Sequence, residues 1–322
     1  MHEIVQKTYL VTGGDGFIGQ HLVAKLVATG HYIIIVDNHI TSMPSAEIPG
    51  VKVLETDIEQ LDLSQLPKID GIFHLASIAA PRLFREHPMS VIRPNIHGTE
   101  RMVQLAELNS CRLIYTSSSE TYGTAGDPMS SQKMTEDHPS AHLLLSAKSP
   151  YSSAKVMGEE IIRSAKERGV DSTAIRLFNV YGENMDPTLQ GRGRVIPNFL
   201  NALQQGLAIP VEGDGSQSRT FTWIGDIIEG LVQLMQHHRE LPLVMNMGSE
   251  ETITIFDLAK TMAAVIDVDP IIEFTDRLSG DPDWRCPDCS LLRQTIGWSP
   301  QTSIEEGLRI LISENLLHHP LI

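Results

Sequence analysis

The feature that most constrains this chain is the run Gly13-Gly14-Asp15-Gly16-Phe17-Ile18-Gly19. It follows an apolar run, Tyr9–Thr12, and opens a helical pattern over Phe17–Thr29, with Ile18, Leu22, Val23 and Leu26 on one face. Glycines at 13, 16 and 19 let the backbone approach a pyrophosphate and point a helix N-terminus at it. A large side chain at Gly16 would hold the backbone off, and Gly19 lets the helix pack on a sheet. Alone the pattern could be an ordinary glycine-rich turn. Its strand–turn–helix setting makes it a dinucleotide loop, with Phe17 and Ile18 at the helix start. The next strand ends at Asp37, 18 residues beyond Gly19. A carboxylate there accepts hydrogen bonds from the adenosine ribose and repels a 2′-phosphate, so NAD is expected as cofactor. The alternative for Asp37 is a turn residue before Asn38.

Further apolar runs fall at Tyr32–Val36, Val51–Leu54, Gly71–Leu75 and Arg112–Thr116, with helical patterns at His97–Leu108 and Ser152–Arg168. Strands alternating with helices indicate βαβ units, and continuous apolar strands suit a parallel sheet covered on both faces. The expected class is α/β, a doubly wound Rossmann sheet. From about Asn179 loop residues increase, in Gly182–Arg194 and Gly213–Gln217, and helices return at Pro197–Gln205, Ile224–His237, Ile255–Ile266 and Ile304–Asn315. This predicts a cofactor domain over 1–178, with 220–245 returning to it. A smaller lobe of 179–219 and 246–322 would lie over the strand ends.

Composition narrows the function. The 322 residues carry 25 Lys+Arg against 40 Asp+Glu, a net charge of −15, which argues against a nucleic-acid face. One phosphate-bearing small ligand remains compatible with it. No apolar run approaches the roughly 20 residues that span a membrane, and Met1–Leu10 has no signal-peptide pattern. Three cysteines suit a reducing cytoplasm. Cys286-Pro-Asp-Cys289 lacks the two further ligands zinc would need, so no metal is expected.

Tyr151 and Lys155 are four apart at a helix start and share a face. A nearby lysine and a nicotinamide cation would draw the phenol pKa down, so that Tyr151 could take a proton from a sugar hydroxyl. Straight after strand Arg112–Tyr115 comes Thr116-Ser117-Ser118-Ser119-Glu120-Thr121-Tyr122-Gly123. Strand carboxyl ends face the ligand in doubly wound sheets, so this stretch can position substrate and move protons. The plain alternative is a polar loop with a helix cap.

These motifs, with Asp57-Ile58, His74-Leu75-Ala76-Ser77, Asn95 before Gly98-Thr99, Arg176-Leu177-Phe178-Asn179-Val180-Tyr181-Gly182, Gly213–Arg219 and Asn246-Met247-Gly248, resemble the extended short-chain dehydrogenase/reductases that act as nucleotide-sugar epimerases, dehydratases and decarboxylases. The resemblance implies cofactor contacts from Asp57, Ile58, Leu75, Ala76, Ser77 and Asn95. It implies that Ser118 assists Tyr151, and that Asn179 and Arg219 hold the diphosphate. Val195–Phe199 would line the base pocket, and Ser77 would also reach the sugar. It also implies a homodimer through the His97–Leu108 and Ser152–Arg168 helices. A fork of donors at Arg219 suits a diphosphate, although a surface salt bridge is the plain alternative.

The shared first step in this family is hydride transfer from sugar C4 to NAD. The fate of C6 then separates decarboxylation, dehydration and epimerisation. Ser119-Glu120, the stretch Asp281-Pro282-Asp283-Trp284-Arg285-Cys286-Pro287-Asp288 and His74–Pro81 resemble UDP-glucuronate decarboxylases, with Arg285 at the glucuronate carboxylate. Tyr151-Ser-Ser-Ala-Lys155 looks more like dehydratases and epimerases, and Arg285 could instead pair with a diphosphate or between lobes. Decarboxylation of a UDP-sugar acid is the leading expectation, then dehydration, then 4-epimerisation. A non-catalytic NAD sensor comes last, because it need not keep Tyr151, Lys155 and Ser118.

Overall fold

The computed structural model describes residues 5–81, 83–123, 132–139, 149–185, 194–277 and 282–318. Asp281 and residues 186–193 of the expected 182–194 loop lie outside the described residues. In order come β1 (Thr8–Thr12), α1 (Phe17–Ala28), β2 (Tyr32–Asp37), β3 (Val51–Glu55), β4 (Gly71–His74), α2 (Leu83–Glu86), α3 (Pro88–Arg93), α4 (Thr99–Asn109), β5 (Arg112–Ser118), α5 (Ser149–Glu167) and β6 (Ser172–Leu177). There follow β7 (Val180–Tyr181), α6 (Val195–Gln204), β8 (Ile209–Glu212), β9 (Ser218–Thr220), β10 (Thr222–Trp223), α7 (Ile224–Gln236), β11 (Val244–Met247), β12 (Thr252–Thr254), α8 (Ile255–Val265), β13 (Ile272–Thr275), α9 (Ser290–Ile296) and α10 (Ile304–His318).

Seven strands form one parallel sheet in the order β11-β6-β5-β4-β1-β2-β3. The order reverses at β1, between β2 and β4, which is where such sheets open a ligand crevice. Apolar residues cover both faces. Leu22, Leu26, Ile227 and Leu231 of α1 and α7 form one core, and Met102, Leu105 and Ile162 of α4 and α5 form the other. Edge strand β3 departs from the all-apolar expectation. Lys52, Val53 and Glu55 are exposed there because its outer edge faces solvent. A third core joins Phe199, Val211, Leu258, Met262 and Leu308, drawn from α6, β8, α8 and α10.

The predicted helix from His97 is entered instead through a π-helical turn, Pro94–Gly98, that joins α3 to α4. Pro94 lacks an N–H donor, which fits a wider turn at that point.

The first βα turn is packed to its limit. Gly13 has a φ of +68°, and a Cβ there would meet the Ala76 backbone at 2.9 Å. A Cβ on Gly19 would lie 2.2 Å from the Gly13 carbonyl oxygen. Gly19→Ala is therefore expected to lower unfolding free energy by about 1–3 kcal/mol, read by chemical denaturation. Unchanged stability would mean that α1 can move off the loop.

Candidate active site

The strand carboxyl ends open into a cavity of about 1330 Å³ that runs from the glycine loop past Tyr151 to Arg219 and Arg285. At one end the α1 N-terminus has neither a side-chain cap nor an acidic residue in its first turn, leaving its N–H groups for an anion. Gly13, Gly16, Phe17, Ile18 and Gly19 line this end, with Asp37, Asn38, Asp57 and Ile58 beside them. Asn38 donates to Asp57 at 2.7 Å. Leu75, Ala76 and Ser77 form the wall after β4. Asn95 does not line the cavity. It is buried, donating to Ser77 Oγ at 2.9 Å and accepting from the Tyr115 hydroxyl, so it holds the wall from behind. A phosphate-sized cradle, a ribose-facing carboxylate and a path to Tyr151 fit a dinucleotide.

The central machinery comes from β5 and α5. Tyr151, Lys155 and Glu159 repeat at four-residue spacing on the buried stripe of α5. Lys155 Nζ donates to the Thr116 carbonyl at 2.7 Å and lies 5.7 Å from the Tyr151 ring centroid. Burial lowers the Lys155 pKa to about 7, against a raising influence from Glu159. The Tyr151 phenol departs from expectation. Burial raises its pKa, opposed by the Ser118 hydrogen bond and the Arg194 charge and reinforced by Glu120. Desolvating a phenolate outweighs nearby cations in this pocket. Phe84 stacks on Tyr151 at 4.7 Å between centroids, fixing the ring plane.

Behind the catalytic pair, His74 is buried and its pKa is lowered to about 3, so it is neutral. Thr99 Oγ1 gives its proton to the Asn95 carbonyl and accepts from His74 Nε2, which leaves Nδ1 to accept from Thr12 at 2.7 Å. One imidazole thus ties β1, β4 and α4 together. Arg176 grips Glu159 with two hydrogen bonds of 2.9 and 2.7 Å, and Ser117 donates to the same carboxylate.

Ser118 caps the 3₁₀ turn that presents Ser119 and Glu120, accepting from the Glu120 N–H. Arg285, 165 positions away from Glu120, pairs with its Oε1 at 3.0 Å and also donates to the Gly123 carbonyl. The segment carrying Arg285 is threaded into the fold by bridges from Trp284 to Ser218 and from Pro287 to Met134. Cys286 and Cys289 flank it as buried thiols that donate to the Glu250 and Gly248 carbonyls. Burial raises the Cys286 pKa to about 11 and the Cys289 pKa further, so both stay protonated. Asn179 and Val195 line the cavity too, Asn179 bonded to the Thr220 carbonyl. Arg219 lines it while donating to the Ser218 and Pro282 carbonyls.

Sequence reasoning missed Arg194, whose guanidinium reaches the cavity and donates to the Ala79 carbonyl at 2.9 Å. It also missed Phe84, which no spacing signals. Glu159 could have been found, since it continues the four-residue repeat from Lys155.

Because the folded pKa of Lys155 lies below its usual 10.5, the unfolded chain binds more protons between about 7 and that value. Its contribution to stability therefore rises with pH across that window. The stability difference between wild type and Lys155→Met should shift by about 1 kcal/mol per pH unit from pH 7 to 9 in favour of wild type. Chemical denaturation at those pH values measures it, and a constant difference would show Lys155 charged throughout.

Residues 9–248 match the model of the NAD dependent epimerase/dehydratase family. The chain is 32% identical over 317 residues to UDP-glucuronic acid decarboxylase 1 of Arabidopsis thaliana, covering 95% of this chain and 69% of that one. It superposes with a TM-score of 0.83 and 26% identity on MoeE5 in complex with UDP-glucuronic acid and NAD, covering 97% and 99% of the two chains. A second solved structure, the NAD-dependent NDP-hexosamine 5,6-dehydratase TunA of tunicamycin biosynthesis, matches with a TM-score of 0.81 and 29% identity over 95% and 96%. The glycine loop, the Tyr151–Lys155 pair and these likenesses together make the chain an NAD-dependent enzyme of the epimerase/dehydratase family.

Proposed function

We propose that this enzyme decarboxylates UDP-glucuronate. The observation that carries this is the Glu120–Arg285 pair, a buried guanidinium that lines the same cavity as the tyrosine. Arg285 is 4% exposed, and its Nε is buried without a hydrogen-bond partner among the described residues. A desolvated guanidinium with donor capacity to spare suits a carboxylate on the substrate.

NAD would be held by Gly13, Gly16, Phe17, Ile18, Gly19, Asp37, Asn38, Asp57, Ile58, Leu75, Ala76 and Ser77, and would accept the C4 hydride. Tyr151 would take the C4 hydroxyl proton, assisted by Ser118. Burial opposes the phenolate in the protein alone, so its formation would rely on the nicotinamide cation of bound NAD, with Lys155 adding charge only below its pKa of about 7. The resulting ketone lies β to the C6 carboxylate. The C5–C6 bond then breaks, CO₂ leaves and its electron pair passes into an enolate at C4. Arg285 orients the carboxylate, while Ser119 and Glu120 order its surroundings and handle the proton at C5. Asn179 and Arg219 take the diphosphate, and Val195 flanks the base.

A dehydratase is the second reading. It is favoured by Tyr151-Ser-Ser-Ala-Lys155 and by the 29% identity to a 5,6-dehydratase. In that case Glu120 would take the C5 proton.

The division into a cofactor domain and a lobe of 179–219 and 246–322 remains our reading, supported by the separate third core. We further propose a homodimer through α4 and α5, whose Leu108 and Met157 are exposed. Light scattering should give twice the 35.6 kDa chain mass, and a particle of one chain mass would reject the dimer. Among the described residues no helix is long and apolar enough to cross a membrane. The three free thiols suit a reducing compartment such as the cytoplasm.

Incubation with NAD⁺ and UDP-glucuronate should give a product lighter by CO₂ in mass spectrometry where the hydride returns to C4, or by CO₂ and two hydrogens where the 4-keto sugar is released. Arg285→Lys should lower kcat/KM about 100-fold on that substrate. Loss of water from a neutral UDP-hexose, with UDP-glucuronate untouched, would replace this reading by the dehydratase.

A further inference from the structure

The adenosine end of the cavity contains an ion pair that nothing in the reaction above uses. Asp15 stands at the tip of the glycine loop, where the fold prepares N–H donors for an anion. Its carboxylate is almost fully buried, with a side chain 1% exposed. Its Oδ1 has no hydrogen-bond partner among the described residues. Its Oδ2 lies 2.7 Å from His39 Nε2.

His39 follows β2 in the left-handed region, with a φ of 54°. That conformation is uncommon for a residue with a side chain, and here it turns the imidazole back over the glycine loop. Asp37 fixes the arrangement from below. Its Oδ1 accepts from the His39 N–H at 3.0 Å and from Ser42 Oγ at 2.9 Å, while its Oδ2 accepts from the Asp15 N–H at 3.2 Å. Asp15, Asp37, His39 and Ser42 all line the cavity.

We propose that His39 is a positioning residue for the adenosine end of NAD: as an imidazolium it neutralises Asp15 and clasps the glycine loop to the 38–42 loop, so that a pyrophosphate can settle at the α1 N-terminus. Without that charge the pyrophosphate would approach a bare, desolvated carboxylate, and like charges repel strongly where water is excluded.

The groups facing His39 are Asp15 from the glycine loop, Asp37 from β2 and Glu55 from β3, the last 3.9 Å from Nδ1. Asp57 stands nearby, bonded to the Asn38 and Gln60 amides. Helix α1 adds no acidic residue in its first turn. Burial lowers the His39 pKa, but the Asp15 hydrogen bond and the Asp37, Asp15 and Glu55 charges outweigh it and leave the value raised. The cation thus persists above the usual imidazole midpoint of 6.5 and is lost as pH rises past its raised value. NAD affinity at this end falls with it.

The test is calorimetric titration of cofactor-free protein with NAD⁺ between pH 6 and 9. Lys155 titrates in the same range at the other end of the cavity, so the readout is the difference between wild type and His39→Gln. His39→Gln keeps a donor but no charge. It should raise Kd about 10-fold at pH 6.5 and leave a shallower pH dependence than wild type, since one charge contact of this kind is worth about a factor of ten. Adding Asp15→Asn to His39→Gln removes the charge that needed neutralising, and should return Kd to within about 3-fold of wild type. Wild-type affinity in His39→Gln at pH 6.5, or an undiminished pH slope, would overturn the proposal. So would a wild-type Kd that stays flat from pH 6 to 9. Binding of NAD⁺ alone is measured, so the result is independent of which sugar the enzyme converts.

Discussion

Everything in this molecule depends on the close contact between the first βα turn and the strand beside it. Gly13 lies against the Ala76 backbone and Gly19 lies against the Gly13 carbonyl, so α1 starts directly over the point where the sheet order reverses. That contact places an uncapped helix N-terminus at the cavity. It also brings the wall after β4 against the glycine loop. The buried bonds of Thr12, His74 and Thr99 then hold β1, β4 and α4 in one register. Neutral His74 can serve as this rivet because its environment removes its proton.

The site is built by desolvating charged groups and compensating each one locally. Lys155 is buried on the Thr116 carbonyl, Arg176 holds Glu159, and Arg285 holds Glu120. Such pairs contribute little net stability, since the desolvation cost offsets the attraction. What they supply is orientation and readiness. A group that has already shed its water meets a substrate charge without the reorganisation that solvent would require. The Glu120–Arg285 pair is the sharpest case, because a carboxylate ligand would compete for the same guanidinium.

Much of this was legible in the chain. The first-half strands and helices that the apolar runs placed lie within a few residues of those positions, because each is set by local periodicity and bounded by glycine or a polar cluster, whereas α2, α3 and β6 were not read from any run. Tyr151 and Lys155 were legible because helix geometry alone puts them on one face. Asn95 was placed in the cofactor wall by resemblance, but stands one layer behind it, bonded to Ser77. The phenol of Tyr151 was expected to be acidified, and burial reverses that in the protein alone. Burial depends on Phe84 and on the packing of α5, and no spacing along the chain encodes it.

The doubly wound fold, the dinucleotide loop and the tyrosine–lysine pair are written locally in the chain, because each rests on residues that are neighbours along one turn, strand or helix. The partnerships across the chain arise only on folding: Glu120 with Arg285, Asp15 with His39, and Arg194 near Tyr151. Each involves at least one loop or turn, whose path is set by the elements at its ends and not by its own pattern. Their energies depend on how much water the surrounding packing removes, a quantity that exists only once the chain has closed on itself.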